Sequence, residues 1–395
     1  MIELAIFIVT YALIAMQNLT SRIDRPAAST IGAASMLAFG VLSLDEAVRA
    51  IDHNTIILLF GMMVLTAYLG ISGFFDYLAK RIMEFSGNGK RLLFTITISS
   101  GFLSALFVND TICVFMTPVV VRIALASGLN PVPLLIALAT SANAGSVATI
   151  IGNPQNMLIA IKSGINFVEF ARIMLPVSLL ALLIIYAVIH LVYGKELRNF
   201  RPAEVEVEVD RRLAVKSLLV FVFVLGLFIS GVYPIALSAL IGAAVMFAVG
   251  GISPKFALER VDWGLLLLFC NLFIVMRAVE GYAENLLSGL NADGSLASTI
   301  TFSLFTVAGS NLVSNVPFVM MALPTISSRE LYYVLAMAST FAGNLTIIGS
   351  VANLIVAEVA ERHGVKLGFL EYMRVGVPVT FLSIFAGILV LQVVL

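Results

Sequence analysis

Long apolar runs separated by short charged clusters make up almost the whole chain. A run of roughly 17 to 25 apolar residues is long enough to cross a bilayer as a helix. On that rule spans are expected at 2–17, 30–44 (short), 55–77 and 173–193. Two stretches in this first half depart from it. Residues 92–127 are apolar but split by Val108-Asn109-Asp110-Thr111. Each arm holds about 16 residues and rises roughly 24 Å against a hydrocarbon core of about 30 Å, which predicts a re-entrant hairpin. Residues 131–163 are interrupted by Gly152-Asn153-Pro154-Gln155-Asn156. Pro154 has no backbone N–H to donate and disfavours helical geometry at Asn153, so this span should be a discontinuous helix.

The second half repeats the plan, with runs at 214–230, 233–251 and 263–279, a split stretch at 296–324, a broken span at 332–357 and a last run at 375–395. At a shift of 197 residues Thr149 meets Thr346, Gly152 meets Gly349 and Asn156 meets Asn353. At a shift of 206 Asn109 and Pro118 meet Asn315 and Pro324, and at a shift of 210 residues 46–65 resemble 256–275, with Asp52 opposite Asp262. The expected fold is an all-α polytopic membrane protein of two inverted repeats, each with five crossings, one re-entrant hairpin and one discontinuous helix. An odd number of crossings makes the second repeat enter from the opposite side. Residues 1–194 form the first repeat, 195–213 a cytoplasmic linker and 214–395 the second repeat.

With 60% hydrophobic and 12% charged residues, the chain lacks the charge of a water-soluble domain, which carries about 25%. Its formal net charge of zero offers no bulk field for nucleic acid. Basic residues divide unevenly in the expected topology: 18 fall on one side and five, Arg49, Lys162, Arg172, Arg277 and Arg329, on the other. The basic side is cytoplasmic by the positive-inside rule, which puts both termini outside an inner membrane. The first run has no basic leader and no small-residue cleavage site, and reads as a retained span. Cys113 and Cys270 lie in apolar runs of separate halves and suggest packing. There is no His-Glu-x-x-His, P-loop or Gly-x-Ser-x-Gly motif. No enzyme activity and no cofactor are expected beyond Na⁺ or H⁺ as a coupling ion.

Candidate chemistry gathers at the two hairpin tips and the two helix breaks. A broken helix aims partly negative carbonyls from one piece and partly positive N–H groups from the other at a single point, which suits a cation or an anion. The first half offers Asn109, Asp110 and Thr111 with Gly145, Thr149, Gly152, Asn153, Gln155 and Asn156. The second offers Ser314, Asn315 and Val316 with Asn344, Thr346, Gly349, Ser350 and Asn353. The plainer alternative is that these side chains only satisfy backbone at kinks. Asp110 is a carboxylate within an apolar stretch, able to ligate Na⁺ or exchange protons, or else to cap the helix that follows the tip. Asp52 and Asp262 are expected caps, Arg277 and Glu280 an interfacial ion pair, and Met62, Met63, Met320 and Met321 packing.

Residues 72–94 followed by SALFVNDTICVFMTPVVV at 104–121 resemble the arsenite efflux permeases of the ArsB type. The break GNPQN with its partner GSVAN resembles the wider ion transporter superfamily of NhaD-type Na⁺/H⁺ antiporters, citrate-type permeases and divalent anion/Na⁺ symporters. The resemblance implies a homodimer with a scaffold and a mobile transport domain. It also implies candidate Na⁺ ligands at Asn109, Asp110, Asn156, Ser314, Asn315 and Asn353. The tips depart from the symporters' Ser-Asn-Thr, reading Asn-Asp-Thr and Ser-Asn-Val. The function expected is secondary transport of a small anion, oxyanion or metalloid hydroxide, of arsenite, antimonite or carboxylate type, coupled to H⁺ or Na⁺ by elevator-like alternating access. A Na⁺/H⁺ antiporter and, more remotely, an intramembrane hydrolase are the alternatives.

Overall fold

The computed structural model describes residues 1–15, 23–201, 207–287, 295–326 and 328–395, and every regular element among them is helical. The first half begins with α1 (Ile2–Ala15), α2 (Arg25–Ala38), a short α3 (Leu44–Ala50) and α4 (His53–Ile71). Local chemistry sets these starts. Asp24 caps α2 by accepting from Ala27 N at 2.8 Å, and Ser43 and Glu46 form a reciprocal capping box on α3. Asp52 accepts from Thr55 N at 2.7 Å, and its counterpart Asp262 from Leu265 N at 2.8 Å, as the sequence suggests.

Several boundaries differ from expectation. The second span, expected at 30–44, runs over Arg25–Ala38 and is ended by the turn at Gly40, whose φ is 69°. The third, expected to reach residue 77, stops at Ile71. Gly73 takes φ 76°, and a Cβ there would stand 2.3 Å from Glu208 O, so the chain turns closely under the segment leading into the second half. Beyond the turn lies a separate amphipathic helix, α5 (Phe74–Phe85), burying Phe75, Ala79, Ile82 and Met83. Residues 16–17 of the first span, Arg22 of the charge count and residues 202–206 of the linker lie outside the described residues.

The first hairpin is α6 (Gly89–Leu106) and α7 (Asn109–Ala126), joined at Phe107-Val108. The discontinuous helix is α8 (Pro131–Ser146), a 3-10 turn at Ile150–Gly152 and α9 (Pro154–Ser163), followed by α10 (Phe167–Tyr193). The second half answers element by element. It has α11 (Arg211–Ser230), α12 (Ile235–Val249), a short α13 (Pro254–Leu258) and α14 (Trp263–Leu287). Its hairpin is α15 (Leu296–Val313) and α16 (Asn315–Ala322), and its broken helix is α17 (Arg329–Ala342), a 3-10 turn at Ile347–Gly349 and α18 (Val351–Arg362). The last helix is α19 (Phe369–Val394).

Seven described helices are long and apolar enough to cross a membrane, and α7 and α15 are among them. Length alone therefore does not separate hairpin arms from spans. The arms α6, α7 and α15 have 18 residues each, slightly more than expected. The fourth arm decides: α16 has 8 residues, about 12 Å of helix, and cannot cross. Both tips also meet a broken helix, Asn109 bonding Asn143 and Asn315 lying against Gly343, and so end part-way through the layer. The fold is thus two inverted repeats of five crossings and one re-entrant hairpin, with one discontinuous helix in each.

The repeats exchange partners. Helix α4 packs on α12 of the other half, and α14 packs on α2. Likewise α18 packs against α7 and α8, α9 against α16 and α17, and α10 against α19. One group of helices, α1 to α4 with α11 to α14, forms a wall. The hairpins, broken helices and α10 and α19 form the body beside it.

Candidate functional site

Each unwound segment is held by two side chains of its own repeat. Asn153 caps α9 by accepting from Asn156 N at 2.8 Å, and Ser350 caps α18 by accepting from Ala352 N at 3.2 Å. The Asn156 amide donates back to Ser146 O at 3.1 Å and Thr149 O at 3.0 Å. Asn353 donates to Gly343 O at 2.6 Å and Thr346 O at 3.0 Å, the equivalent carbonyls at the 197-residue shift. These amides satisfy carbonyls that a helix break would otherwise strand away from water. Thr149 donates to Ala105 O and Thr346 to Asn311 Oδ1 at 3.5 Å, so each break is tied to the first arm of its own hairpin. The glycines are there for close approach: a Cβ would stand 2.0 Å from Gly101 O at Gly145, 2.3 Å from Ser146 O at Gly152 and 2.9 Å from Asn311 Oδ1 at Gly349.

Other contacts cross between halves. Asn143, on α8, is the hub. Its Oδ1 accepts from Asn109 Nδ2 at 3.0 Å and from Ser350 Oγ at 3.1 Å, and its Nδ2 reaches Asn344 Oδ1 at 2.9 Å and Asn353 Oδ1 at 3.0 Å. Its counterpart at the 197-residue shift is Thr340, whose Oγ1 accepts from Asn153 at 3.3 Å and Gln155 at 3.1 Å. Asn153 and Ser350 are themselves counterparts, so the pairs Asn143–Ser350 and Thr340–Asn153 repeat one contact about the pseudo-twofold. Asn344 closes the set by donating to Thr140 O at 3.2 Å. The sequence grouped these residues half by half, whereas the structure interlocks the two breaks. Asn143, Thr340, Ser146 and Asn311 escaped the sequence reading, although Asn143 and Thr340 are polar residues at matching places within apolar helices.

The hairpin tips and the first break leave groups open. Asn109, Asn315 and Asn156 are 4%, 7% and 0% exposed, and the Oδ1 of each is buried without a hydrogen-bond donor. Among native structures such orphan acceptors are few and call for an explanation. Both second arms also start without a side-chain cap, α7 at Val108 and α16 at Ser314. This removes the plainer alternative for Asp110: it does not cap the helix, because Val108 occupies the N-cap and Asp110 lies inside the first turn. Asp110 is 7% exposed and accepts no hydrogen bond among the described residues. Arg25 and Asp262, both on the facing wall, are charges that act on it. Thr111 is half-buried, and Val316 is buried at the rim of a small cavity.

No three His, Cys, Asp or Glu side chains gather among the described residues. The oxygens on offer are amide, hydroxyl and backbone, with one carboxylate. Such oxygens replace the hydration shell of an alkali cation, while uncapped helix N-termini attract anions. Buried acceptor oxygens and open helix N-termini therefore sit together at the meeting point of the two repeats.

The family model described as citrate transporter, CitMHS, matches residues 11–330. The chain belongs to the citrate transporter family. It is similar to an uncharacterised transporter of Mycobacterium tuberculosis, 28% identical over 97% of this chain and 96% of that one. It is also similar to a silicon efflux transporter of rice, Oryza sativa subsp. japonica, 29% identical over 93% and 92%. Among solved structures it matches the Alcanivorax borkumensis YdaH transporter with a TM-score of 0.58 and 16% identity, covering 89% of each chain. That likeness concerns the fold, and that structure is described as having an unusual topology. This citrate transporter family member is thus a multi-pass membrane transporter.

Proposed function

We propose that the protein is a secondary transporter of a small anion, oxyanion or metalloid hydroxide, coupled to H⁺ or Na⁺. The observation that carries this reading is the set of buried, unpaired amide oxygens at Asn109 and Asn315, each at an uncapped helix N-terminus, and at Asn156 in the first break. A structural kink would satisfy those oxygens; a site that fills and empties leaves them for its ion. Asn109, Asp110, Asn156, Ser314, Asn315 and Asn353 are the proposed Na⁺ ligands, and Asp110 the group that couples transport to Na⁺ or protons. Arsenite or antimonite and carboxylates are the substrate classes the reading favours, and the similarity to a silicon efflux transporter supports a metalloid hydroxide. Movement is elevator-like, the hairpin body sliding against the wall, in a homodimer of the inner membrane with both termini outside.

The test is uptake into proteoliposomes of purified protein under imposed Na⁺ and pH gradients, with arsenite, citrate, sulfate and phosphate. Uphill accumulation driven by one gradient is expected. Downhill movement only would reject coupled transport. The isolated carboxylate of Asp110 favours a second reading, Na⁺/H⁺ exchange, which vesicles would reveal as cation exchange with no dependence on any anion.

A further inference from the structure

A cavity of about 110 Å³ lies between the wall and the second hairpin tip. The wall lines it with Tyr11, Arg25 and the first turns of α14, and the hairpin with Ser310, Ser314 and Val316. Arg25 is the one charged residue lining it. The Arg25 Nε is buried without a hydrogen-bond partner, and the guanidinium forms no ion pair among the described residues. Asp110 and Glu358 are the carboxylates whose charges act on it, and both stay outside salt-bridge distance. Opposite, α16 begins without a side-chain cap, which leaves its first N–H groups open. Ser310 is fully buried, and its hydroxyl has no partner. By contrast Ser303, two turns earlier on the same helix, bonds the carbonyl four residues back at 2.8 Å.

We propose that this cavity is a binding site for a small oxyanion, with the Arg25 guanidinium on the wall as its specificity-determining cation, facing the N-terminus of α16 and the Ser310 hydroxyl. A guanidinium presents a planar fork of donors that fits two oxygens of one anion, and a helix N-terminus adds donors from the other side. Size then narrows the class: about 110 Å³ is small beside the roughly 300–1,000 Å³ usual for a ligand pocket and favours a compact single-centre oxyanion over a tricarboxylate the size of citrate. The inference rests on the transporter reading only for its biological meaning; the site itself is a matter of binding. Because Arg25 belongs to the wall and Ser310 to the hairpin body, movement of one against the other opens the site.

The experiment is calorimetric titration of the purified full-length chain, in a neutral detergent free of phosphate, with phosphate, sulfate, arsenate, citrate and chloride at constant ionic strength. At least one of the three small oxyanions should bind saturably and more tightly than citrate or chloride. Arg25→Gln should weaken that binding at least tenfold, with Arg25→Lys intermediate. Ser310→Ala, which removes only an unpaired hydroxyl and should leave folding intact, should weaken it several-fold. Unchanged affinity in a monodisperse Arg25→Gln protein would overturn the proposal and leave Arg25 as a distant counter-charge to Asp110. Tighter binding of citrate, or no binding of any small oxyanion, would overturn it too. Arg25-dependent binding without uphill transport in vesicles would sink the transporter reading and leave the site standing, while uphill transport with Arg25-independent binding would do the reverse.

Discussion

Asn143 connects a hairpin tip, the opposite break and that break's cap through four hydrogen bonds. Removing its side chain strands several buried partners at once, each at roughly 1–3 kcal/mol. Asn143→Ala should therefore lower stability by several kcal/mol, read as a depressed melting temperature in detergent, while truncating Asn166, which only caps α10 by accepting from Glu169 N at 2.9 Å, should cost about 1 kcal/mol. At Asp110 the expected effect is on coupling. Asp110→Asn keeps the shape and removes the ionisable group, so transport should lose its pH or Na⁺ dependence; unchanged dependence in vesicles would rule Asp110 out as the coupling residue. Asn156 and Asn353 were legible in the sequence because a proline or a repeated glycine marks the breaks beside them. Asn143 was not, since it sits inside a continuous helix, its counterpart Thr340 is a different residue, and its partners Asn344 and Asn353 are 201 and 210 positions away. Arg25 is one of the 18 basic residues on the side expected to be cytoplasmic, and nothing local says that it lines a cavity.

Among the elements, the tip of the second hairpin carries the sharpest local cost. Ser314 is the one non-glycine with positive φ among the described residues, at φ 75° and ψ 158°. That region is nearly reserved for glycine and costs on the order of 1–3 kcal/mol. Ser314→Gly should raise the melting temperature, by roughly 1 kcal/mol of stability or more. The opposite is expected at the first break, where α8 touches α6 through glycines. A methyl at Gly145 would press on Gly101 O, and overpacking of this kind costs typically 1–3 kcal/mol, so Gly145→Ala should be less stable by thermal unfolding. Hairpins and breaks could be read from sequence because Asn, Asp and Pro interrupt apolar runs. Helix α5 was hidden for the converse reason: its apolar face continues the run of α4, and only Ser72-Gly73 marks the turn.

At the scale of the molecule, the proposed movement of body against wall is open to a direct test. Leu158 on α9 and Phe273 on α14 line one cavity of about 460 Å³, from opposite sides of the facing surface, together with Met320 and Met321. In a Cys113→Ala, Cys270→Ala background, Leu158→Cys with Phe273→Cys should lose transport on treatment with a short thiol cross-linker and regain it on cleavage. Full transport after verified cross-linking would reject sliding of the two parts. The inverted plan was legible because period and charge repeat along the chain, but the exchange of partners between repeats was not, since it depends on contacts that no local pattern encodes. That exchange bears on biosynthesis. A nascent chain that has emerged only as far as Tyr193 holds Asn153 and Gln155 without Thr340, and Asn143 without Ser350, so its unwound segment must wait in or beside the insertion machinery until the remainder arrives. A truncated chain ending there should be degraded faster than the full chain, and supplying the missing portion as a separate polypeptide should rescue it.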